Sequence, residues 1–462
     1  MLTYGTIQEA TNTASVTAFL EERILPGSEW RLVKARRRNV RLDPPVSYTA
    51  LYRVTLGSRE LLKLDSADGA EPPEPTWTKH RELQLVAKGV FDPAAWDDYT
   101  ARLRDRFGDS PCEPLTGHGY PVYYPETQHV FWFYPVDGSL PTLPSCTAQG
   151  RMLRLFRSVK RNILDYPGRI TGVHIDSARY LPEVTAIFRY EIETSPANAG
   201  KVIYGKVQRA GRGRESNWLM EQIWAHARKS EGRLSVPRPL GYYQALDLVL
   251  QSAAAGEALT SDRLAPEFKR GAVAAAEALA ELHGSGIRVD AQATIEAELQ
   301  RLDNVVEQFA YVHPKAHFML REYLLHARNK LKRTRAEEWL PTHGDMKYDQ
   351  LLHEDGHFQV IDFEYFTMAE TSWDLGKFCA YAVPTQPKSW EHSVAAEEAR
   401  QLFLDRYREL RPQATLDRFQ LYESLNLALR AMVVMWGQHP DWMPTVESIL
   451  ALAMERLNSR LS

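Results

Sequence analysis

One segment near the C-terminal end constrains this chain more than any other. Residues Pro341–Phe378 read PTHGDMKYDQLLHEDGHFQVIDFEYFTMAETSWDLGKF. Two short apolar runs on either side of an Asp-Gly dipeptide, 351–352 and 358–361, predict a β-hairpin. Because a hairpin brings its two ends together, we expect Asp345 and Gln350 to lie near Asp362.

A cluster of this composition is what phosphoryl transfer requires. One carboxylate orients the attacking hydroxyl and accepts its proton, while a second carboxylate and a side-chain carbonyl hold Mg²⁺ on the nucleotide phosphates. A turn residue without catalytic function is the alternative interpretation of Asp345. The order of the three triplets HGD, DFE and DLG favours the catalytic interpretation.

The pattern HGDxxxx(N/Q), then IDFE, then DLG resembles the aminoglycoside phosphotransferase and choline kinase superfamily, a branch of the protein-kinase-like fold. The resemblance covers residues 166–462. It implies that Asp345 is the catalytic base and that Asp362 is a Mg²⁺ ligand. It also implies that Lys347 neutralises charge on the transferring phosphate. His343 is expected to have a structural role.

The chain departs from the family pattern at one metal-ligand position. The family most often has Asn where this sequence has Gln350. Gln keeps the carbonyl on one more methylene, so coordination can survive with a shifted metal, and some maltokinase-like members also resemble this chain in having Gln. Glu364 either binds a second Mg²⁺ or stays solvated.

The upstream sequence resembles the N-lobe of the same fold. Lys206 in VIYGKV stands where the superfamily has the lysine that binds the α- and β-phosphates. The following helix supplies Glu215 as the ion-pair partner of this lysine, with Glu221 as the alternative. Residues 248–253 resemble the hinge, whose backbone binds adenine. The predicted nucleotide contacts are Lys206, Glu215, Gln251 and Ala253. The absence of a Walker A motif argues against a P-loop kinase.

A short sequence similarity suggests an internal repeat. Thr185–Tyr190 (TAIFRY) resembles Thr49–Val54 (TALYRV), and a lysine-bearing strand follows each copy, with Lys206 in one and Lys63 in the other. We interpret this as a divergent repeat; a chance likeness between two β-meanders is the alternative. We therefore expect an antiparallel sheet in residues 1–165, supporting the acceptor side of the enzyme instead of binding ATP.

The order of elements defines the predicted fold class. We expect an α+β, bilobal protein-kinase-like fold with an antiparallel-sheet N-lobe, a helical C-lobe and an additional β-rich N-terminal module. The predicted domains are 1–165 (the module, a degenerate N-lobe repeat), 166–255 (the N-lobe) and 256–462 (the C-lobe with the catalytic loop). Apolar residues at helical spacing predict two core-facing stripes: Phe268, Ala272, Ala275, Leu279 and Leu282, and Leu421, Leu425, Leu429, Met432 and Trp436.

Composition and charge disfavour several classes of binding partner and of structural site. With 56 Lys and Arg against 59 Asp and Glu, the net charge of −3 gives no general attraction to nucleic acid or an anionic membrane. Three cysteines without a CxxC pair disfavour a disulfide framework or a cysteine zinc site. No signal peptide or long apolar run is evident. We therefore predict a soluble, cytoplasmic protein without nucleic-acid or membrane partners, and leave its oligomeric state open.

The predicted function is that of an ATP- and Mg²⁺-dependent O-phosphotransferase. Its acceptor is expected to be the hydroxyl of a small metabolite, with a sugar or amino sugar as the first expectation. One alternative is a kinase that modifies a peptide Ser or Thr in natural-product maturation, and another is a nucleotide-binding pseudokinase. Trp390, Trp436 and Trp442 either stack on a sugar ring or belong to the core.

Overall fold

The computed structural model describes residues 12–43, 47–58, 79–108, 121–195, 201–209, 211–384, 390–437 and 441–459. The chain divides into two compact units. The first unit takes its residues from 1–155, 173–188 and 206–210, and the second from 156–172, 189–205 and 211–462.

The first sheet lies in the first unit and has five strands. They are β1 (Trp30–Asp43), β2 (Ser47–Ser58), β3 (Lys79–Val90), β4 (Val122–Tyr124) and β5 (His129–Phe133). They pair antiparallel in the order β1-β2-β3-β5-β4. Residues 49–56 and 130–134 are rich in β-branched, aromatic and other apolar side chains and so predict strands, which are confirmed as β2 and β5. The strand expected at 59–64, with Lys63, lies outside the described residues.

The α-helices described before residue 169 are α1 (Thr13–Phe19), α2 (Pro93–Phe107), α3 (Leu143–Thr147), α4 (Gln149–Ser158) and α5 (Lys160–Ile163). The last of these belongs to the second unit. The bounds of α2 follow from its sequence. The Asp92 carboxylate accepts a hydrogen bond from the backbone N–H of Ala95 at 2.8 Å, and Pro93 occupies the first helical position. Gly108 ends the helix with a φ of 70°, which glycine adopts readily.

The second sheet repeats the order of the first. Its strands are β6 (Arg169–Leu181), β7 (Thr185–Ser195), β8 (Lys201–Gln208), β9 (Pro239–Tyr243) and β10 (Leu248–Ser252), in the order β6-β7-β8-β10-β9. Helix α6 (Arg212–Ala227) follows the third strand, as α2 does in the first sheet. This shared topology supports the predicted repeat, because similar strands alone would not place the fourth and fifth strands and the helix equivalently.

The rest of the chain is mainly helical. Its helices are α7 (Pro266–His283), α8 (Ile295–Val312), α9 (Pro314–Leu331), α10 (Ser372–Ala382), α11 (Trp390–Leu410), α12 (Phe419–Gly437) and α13 (Trp442–Asn458). The predicted stripe on α7 is buried in the core, which confirms that assignment. On α12 the stripe is buried from Leu421 to Met432, while the Trp436 side chain lies outside the described residues.

Short strands connect these helices around the predicted site. They are β11 (Glu257–Ala258), β12 (Trp339–Thr342), β13 (Leu351–Glu354), β14 (His357–Val360) and β15 (Thr367–Glu370). Strands β13 and β14 form the predicted hairpin, in which Leu351 pairs with Val360. At the turn, Asp355 and Gly356 have φ values of 49° and 83°, the left-handed backbone that an Asp-Gly turn supplies.

The fold class is confirmed: antiparallel sheets precede a helical C-terminal region, and a β-rich module comes first. The division into domains 1–165, 166–255 and 256–462 stays a prediction. Among the helices described, none is long and apolar enough to cross a membrane.

Candidate active site

The predicted catalytic loop begins where β12 ends. This strand pairs antiparallel with β15, so the loop at His343-Gly344-Asp345 emerges from a fixed strand pair. Gly344 has a φ of 83°, and a Cβ placed on it would lie 1.9 Å from the carbonyl oxygen of Tyr365. The loop therefore requires glycine here, for its backbone conformation and for the close approach of a neighbouring backbone.

A buried carboxylate from α10 holds the loop backbone. Asp374 accepts hydrogen bonds from the N–H of His343 at 2.7 Å and from that of Gly344 at 2.9 Å. His283 Nε2 donates to the same carboxylate at 3.2 Å, and both side chains are completely buried. The Tyr407 hydroxyl donates to Nδ1 of His283 at 2.7 Å. Because buried polar groups need partners, this network fixes the loop in one conformation.

Two lysines and one amide contact Asp345. Lys347 Nζ lies 2.9 Å from Oδ2 and Lys377 Nζ lies 3.1 Å from Oδ1. Gln350 Nε2 donates to Oδ2 at 3.1 Å. Burial alone would raise the pKa of Asp345, but Lys377 and Lys347 outweigh it and hold the pKa below its ordinary value. Asp345 is therefore an ionised carboxylate at neutral pH.

The hairpin brings the predicted metal ligands toward the loop. The Ile361 N–H donates to the Gln350 carbonyl at 3.0 Å, so Asp362 follows directly after a residue bonded to Gln350. His343 Nε2 donates to the Ile361 carbonyl at 3.0 Å, while its Nδ1 accepts from the Asp345 N–H at 3.3 Å. This agrees with the structural role expected for His343. Asp362 has a φ of 68°, a left-handed conformation that Asp tolerates better than most residues.

One buried atom fits the expected metal. Gln350 is 5% exposed, and its Oε1 has no hydrogen-bond partner within the described residues. A buried amide oxygen without a partner is unusual, and such an oxygen is a suitable Mg²⁺ ligand. Across the ranges described above, no group of three His, Cys, Asp or Glu side chains could hold a metal ion. Mg²⁺ in phosphate chemistry needs only one or two carboxylates besides the substrate oxygens.

The predicted nucleotide residues are distributed over both units. Gln251 lies in β10, and the N–H of Ala253 just after it donates to the Val202 carbonyl at 3.4 Å. Glu215 and Glu221 both lie at exposed positions of α6, and Glu221 accepts a hydrogen bond from Asn217 at 2.8 Å. Lys206 is half-buried in β8 and belongs to the first unit. These nucleotide contacts, and the choice between the two glutamates, stay predictions.

Two features of the site were not predicted from the sequence: the contact of Lys377 with Asp345, and the role of Asp374, in the DLG triplet, as the carboxylate that binds the loop backbone. Lys377 comes directly after the DLG triplet, three residues beyond Asp374. On a helix, residues three apart lie on the same face, so the spacing could have placed Lys377 beside the same loop. The identity of the backbone groups that Asp374 binds could not have been found this way, because they come from 30 residues earlier in the chain.

A buried carboxyl group before β12 binds the first residue of α10, and the charge of this group depends on pH. Glu337 accepts hydrogen bonds from the N–H and the hydroxyl of Ser372 at 2.8 Å and from the Arg418 N–H at 2.7 Å. Burial raises its pKa to about 7, above the value of an unfolded chain, although these hydrogen bonds oppose the shift. The folded state therefore binds this proton more tightly than the unfolded state does.

We expect this group to lower stability as pH rises from 5 to 8. The contribution of Glu337 is fully present below pH 4.5 and is lost as pH rises through about 7. The expected loss is on the order of 2–3 kcal/mol. The measurement is the melting temperature at several pH values for wild type and Glu337→Gln. The two curves should converge or cross as pH changes, and a constant offset between them would contradict the assignment.

Residues 219–413 match the family model of the phosphotransferase enzyme family. No curated protein matches the chain in sequence.

Several solved structures are similar to this chain. A choline/ethanolamine kinase family protein from Mesorhizobium loti is 17% identical, with 65% of this chain and 94% of that protein covered and a TM-score of 0.42. The choline kinase LicA from Streptococcus pneumoniae is 14% identical, with 67% and 99% covered and a TM-score of 0.43. A glucosamine kinase is 14% identical, with 66% and 84% covered and a TM-score of 0.44.

The family match includes the loop at Asp345, the hairpin and α10. It confirms the resemblance and the enzyme class predicted from the sequence: residues 219–413, which carry the candidate active site, match the model of the phosphotransferase enzyme family.

Proposed function

We propose that the chain is an ATP-dependent O-phosphotransferase that acts on a hydroxyl group of a small metabolite, with a sugar or amino sugar as the first acceptor to test. The observation that carries this proposal is the environment of Asp345. Its carboxylate is ionised, contacts two lysines and lies on a loop whose backbone is held by the buried Asp374. That is the arrangement a hydroxyl-activating group needs.

In the proposed reaction Asp345 orients the acceptor hydroxyl and takes its proton as the oxygen attacks the phosphorus. Lys347 and Lys377 are positive charges already fixed beside the reacting groups. Burial would lower the pKa of Lys347, but Asp345 raises it above its ordinary value, so this lysine stays protonated. Fixed charges of this kind stabilise the negative charge that develops on the transferring phosphoryl group.

Lys206, Gln251 and Ala253 are proposed to hold the nucleotide, with Glu215 supporting Lys206. Gln350, Asp362 and Glu364 are proposed to hold Mg²⁺, and the Gln350 oxygen without a partner supports this assignment. When bound, Mg²⁺ would neutralise charge on the nucleotide phosphates.

The alternatives differ in what they require of the same site. A pseudokinase does not need an ionised Asp345 with lysine partners, so the charges described above favour an active enzyme. A peptide kinase would use the same loop and would differ only in its acceptor. Among the tryptophans considered for sugar stacking, Trp442 is buried in the helical core, while Trp390 is 71% exposed at the start of α11.

The proposal is tested by measuring acceptor-dependent ADP release from the purified full-length protein. The panel contains sugars, amino sugars, aminoglycosides, choline and Ser- or Thr-containing peptides, each with ATP and Mg²⁺. We expect one class of small hydroxylated metabolites to stimulate ADP release. Stimulation by peptides alone would favour the peptide kinase, and nucleotide binding without any turnover would favour the pseudokinase.

We expect Gln350→Asn to keep measurable activity and Gln350→Leu to lose most of it. Asn retains a carbonyl oxygen, whereas Leu has a similar volume but offers no metal ligand. The measurement is the rate of acceptor phosphorylation over a range of Mg²⁺ concentrations, where the Asn variant should need more Mg²⁺ than wild type. Wild-type activity in the Leu variant would show that Gln350 is not a ligand.

A further inference from the structure

The turn between β6 and β7 is bound through one carboxylate. Lys88 Nζ lies 2.6 Å and Arg41 Nη2 lies 3.1 Å from Oε2 of Glu183. The Tyr99 hydroxyl donates to Oε1 at 3.0 Å, and the Thr49 hydroxyl donates to Oε2 at 3.3 Å. Glu183 is only 4% exposed. Four donors from β1, β2, β3 and α2 therefore enclose this carboxylate.

The backbone of the same turn is bound as well. Asp137 accepts the N–H of Glu183 at 2.8 Å and the hydroxyl of Tyr180 at 2.7 Å. Arg41 donates to the Pro182 carbonyl at 3.1 Å. Glu183 has a φ of 64°, a left-handed conformation that costs energy in a residue other than glycine. The first sheet and the segment after it therefore hold the turn in a conformation that it would rarely adopt alone.

The carboxylate of Glu183 balances the positive charge of Lys88. Burial alone would raise the pKa of Glu183, but Lys88 and Arg41 outweigh it and leave the pKa below its ordinary value. The side chain of Lys88 is itself 9% exposed and makes a further hydrogen bond to Thr49 at 3.3 Å. A lysine buried against a carboxylate in this way is not available to an external phosphate.

The position of Lys88 in its sheet matches that of Lys206. Lys88 lies near the end of β3, the third strand of the first sheet, and Lys206 lies near the end of β8, the third strand of the second. The strand order is the same in both sheets. The residue that is proposed to bind nucleotide phosphates in the second sheet thus has a counterpart in the first, which binds the chain's own carboxylate.

The end of the turn and the start of β7 are also bonded to the segment that follows Lys206. The Thr185 hydroxyl donates to the Val207 carbonyl at 3.1 Å, and the Arg209 N–H donates to the Val184 carbonyl at 3.2 Å. Val184 and Thr185, the two residues after Glu183, therefore link the turn to the end of the strand that carries Lys206.

We propose that the first sheet is a duplicated N-lobe in which Lys88 binds Glu183 instead of a nucleotide phosphate, and that this pair positions the turn beside Lys206 for ATP binding. Lys88 and Glu183 are positioning residues in this scheme. The inference rests on the proposed function, because Lys206 has its nucleotide role only there. The first sheet then supports the nucleotide side of the enzyme, in contrast to the acceptor side expected from the sequence.

The test uses the full-length protein with a non-hydrolysable ATP analogue and Mg²⁺, so that no acceptor is needed. Calorimetry gives the Kd for wild type, Lys88→Met, Glu183→Gln and the double variant. We expect each single change to weaken binding about fivefold or more, which is the lower range of typical coupling between sites. The double variant should bind the analogue at least as tightly as the weaker-binding single variant, because both single changes remove the same contact. Lys88→Arg keeps the positive charge and should retain most of the wild-type affinity.

Two controls separate the possible failures. Glu423→Gln breaks a buried pair with Arg400, whose atoms lie 2.6 Å apart in the second unit, and should lower the melting temperature without changing the Kd. Lys206→Met tests the nucleotide assignment itself: an unchanged Kd there would overturn the proposed role of Lys206. Weakened binding by Lys206→Met, together with wild-type Kd values for Glu183→Gln and for Lys88→Met where it folds, would overturn only the present inference.

Discussion

Asp345→Asn is expected to lower kcat by about 10²–10⁴-fold, the usual contribution of a general base. Asn keeps the size of the side chain but cannot accept the proton of the acceptor hydroxyl. It also leaves Lys347 and Lys377 without the carboxylate that they contact. The measurement is acceptor phosphorylation at saturating ATP, with the best acceptor from the panel. Because the nucleotide contacts are unchanged, the Kd for the ATP analogue should change little.

Asp355→Asn is the matched control for this variant. Asp355 lies at the exposed turn of the same hairpin, and Asn also tolerates its left-handed backbone. We expect wild-type kcat for this control. A wild-type rate of acceptor phosphorylation in Asp345→Asn would overturn the assignment of the whole site.

The sequence was most informative where the interacting residues are close along the chain. The hairpin at 351–360 follows from two apolar runs and an Asp-Gly turn, and it is sufficient to bring Gln350 next to Ile361. The same local logic located β2 and β5 and the apolar face of α7. Local patterns therefore predicted the hairpin and these elements, while the roles of the site residues came from the resemblance to the family.

Long-range contacts could not be predicted in this way. The partner of Lys88 is 95 residues away in sequence, and nothing local to Glu183 indicates that its carboxylate is buried. The repeat was visible only in a six-residue similarity, which paired Lys206 with Lys63. Lys63 lies outside the described residues, and among the described strands the shared order pairs Lys206 with Lys88, because each lies near the end of the third strand of its sheet. Topology, which the local pattern does not encode, was needed to see this.

Replacing the Asp374 carboxylate is expected to have the largest effect on the structure of the site. Asn at this position keeps one acceptor oxygen, but its amide group would face the N–H groups of the loop. At least one N–H of His343 or Gly344 would then be buried without a partner, and each such group costs about 1–3 kcal/mol. His283 Nε2 would also lose its charged acceptor. We therefore expect Asp374→Asn to lower the melting temperature by several degrees.

The same change should also reduce turnover, because the loop that it loosens carries Asp345. A displacement of about 1 Å at a reacting group can lower the rate by about 10²-fold. Asp374→Asn should thus lose both stability and kcat, whereas Asp345→Asn should lose kcat with a much smaller change in melting temperature. Asp349→Asn, an exposed carboxylate near the loop, is the control and should change neither strongly. If Asp374→Asn kept wild-type stability and turnover, the hydrogen bonds to His343 and Gly344 could not be what fixes the loop, and the positioning of Asp345 would need another source.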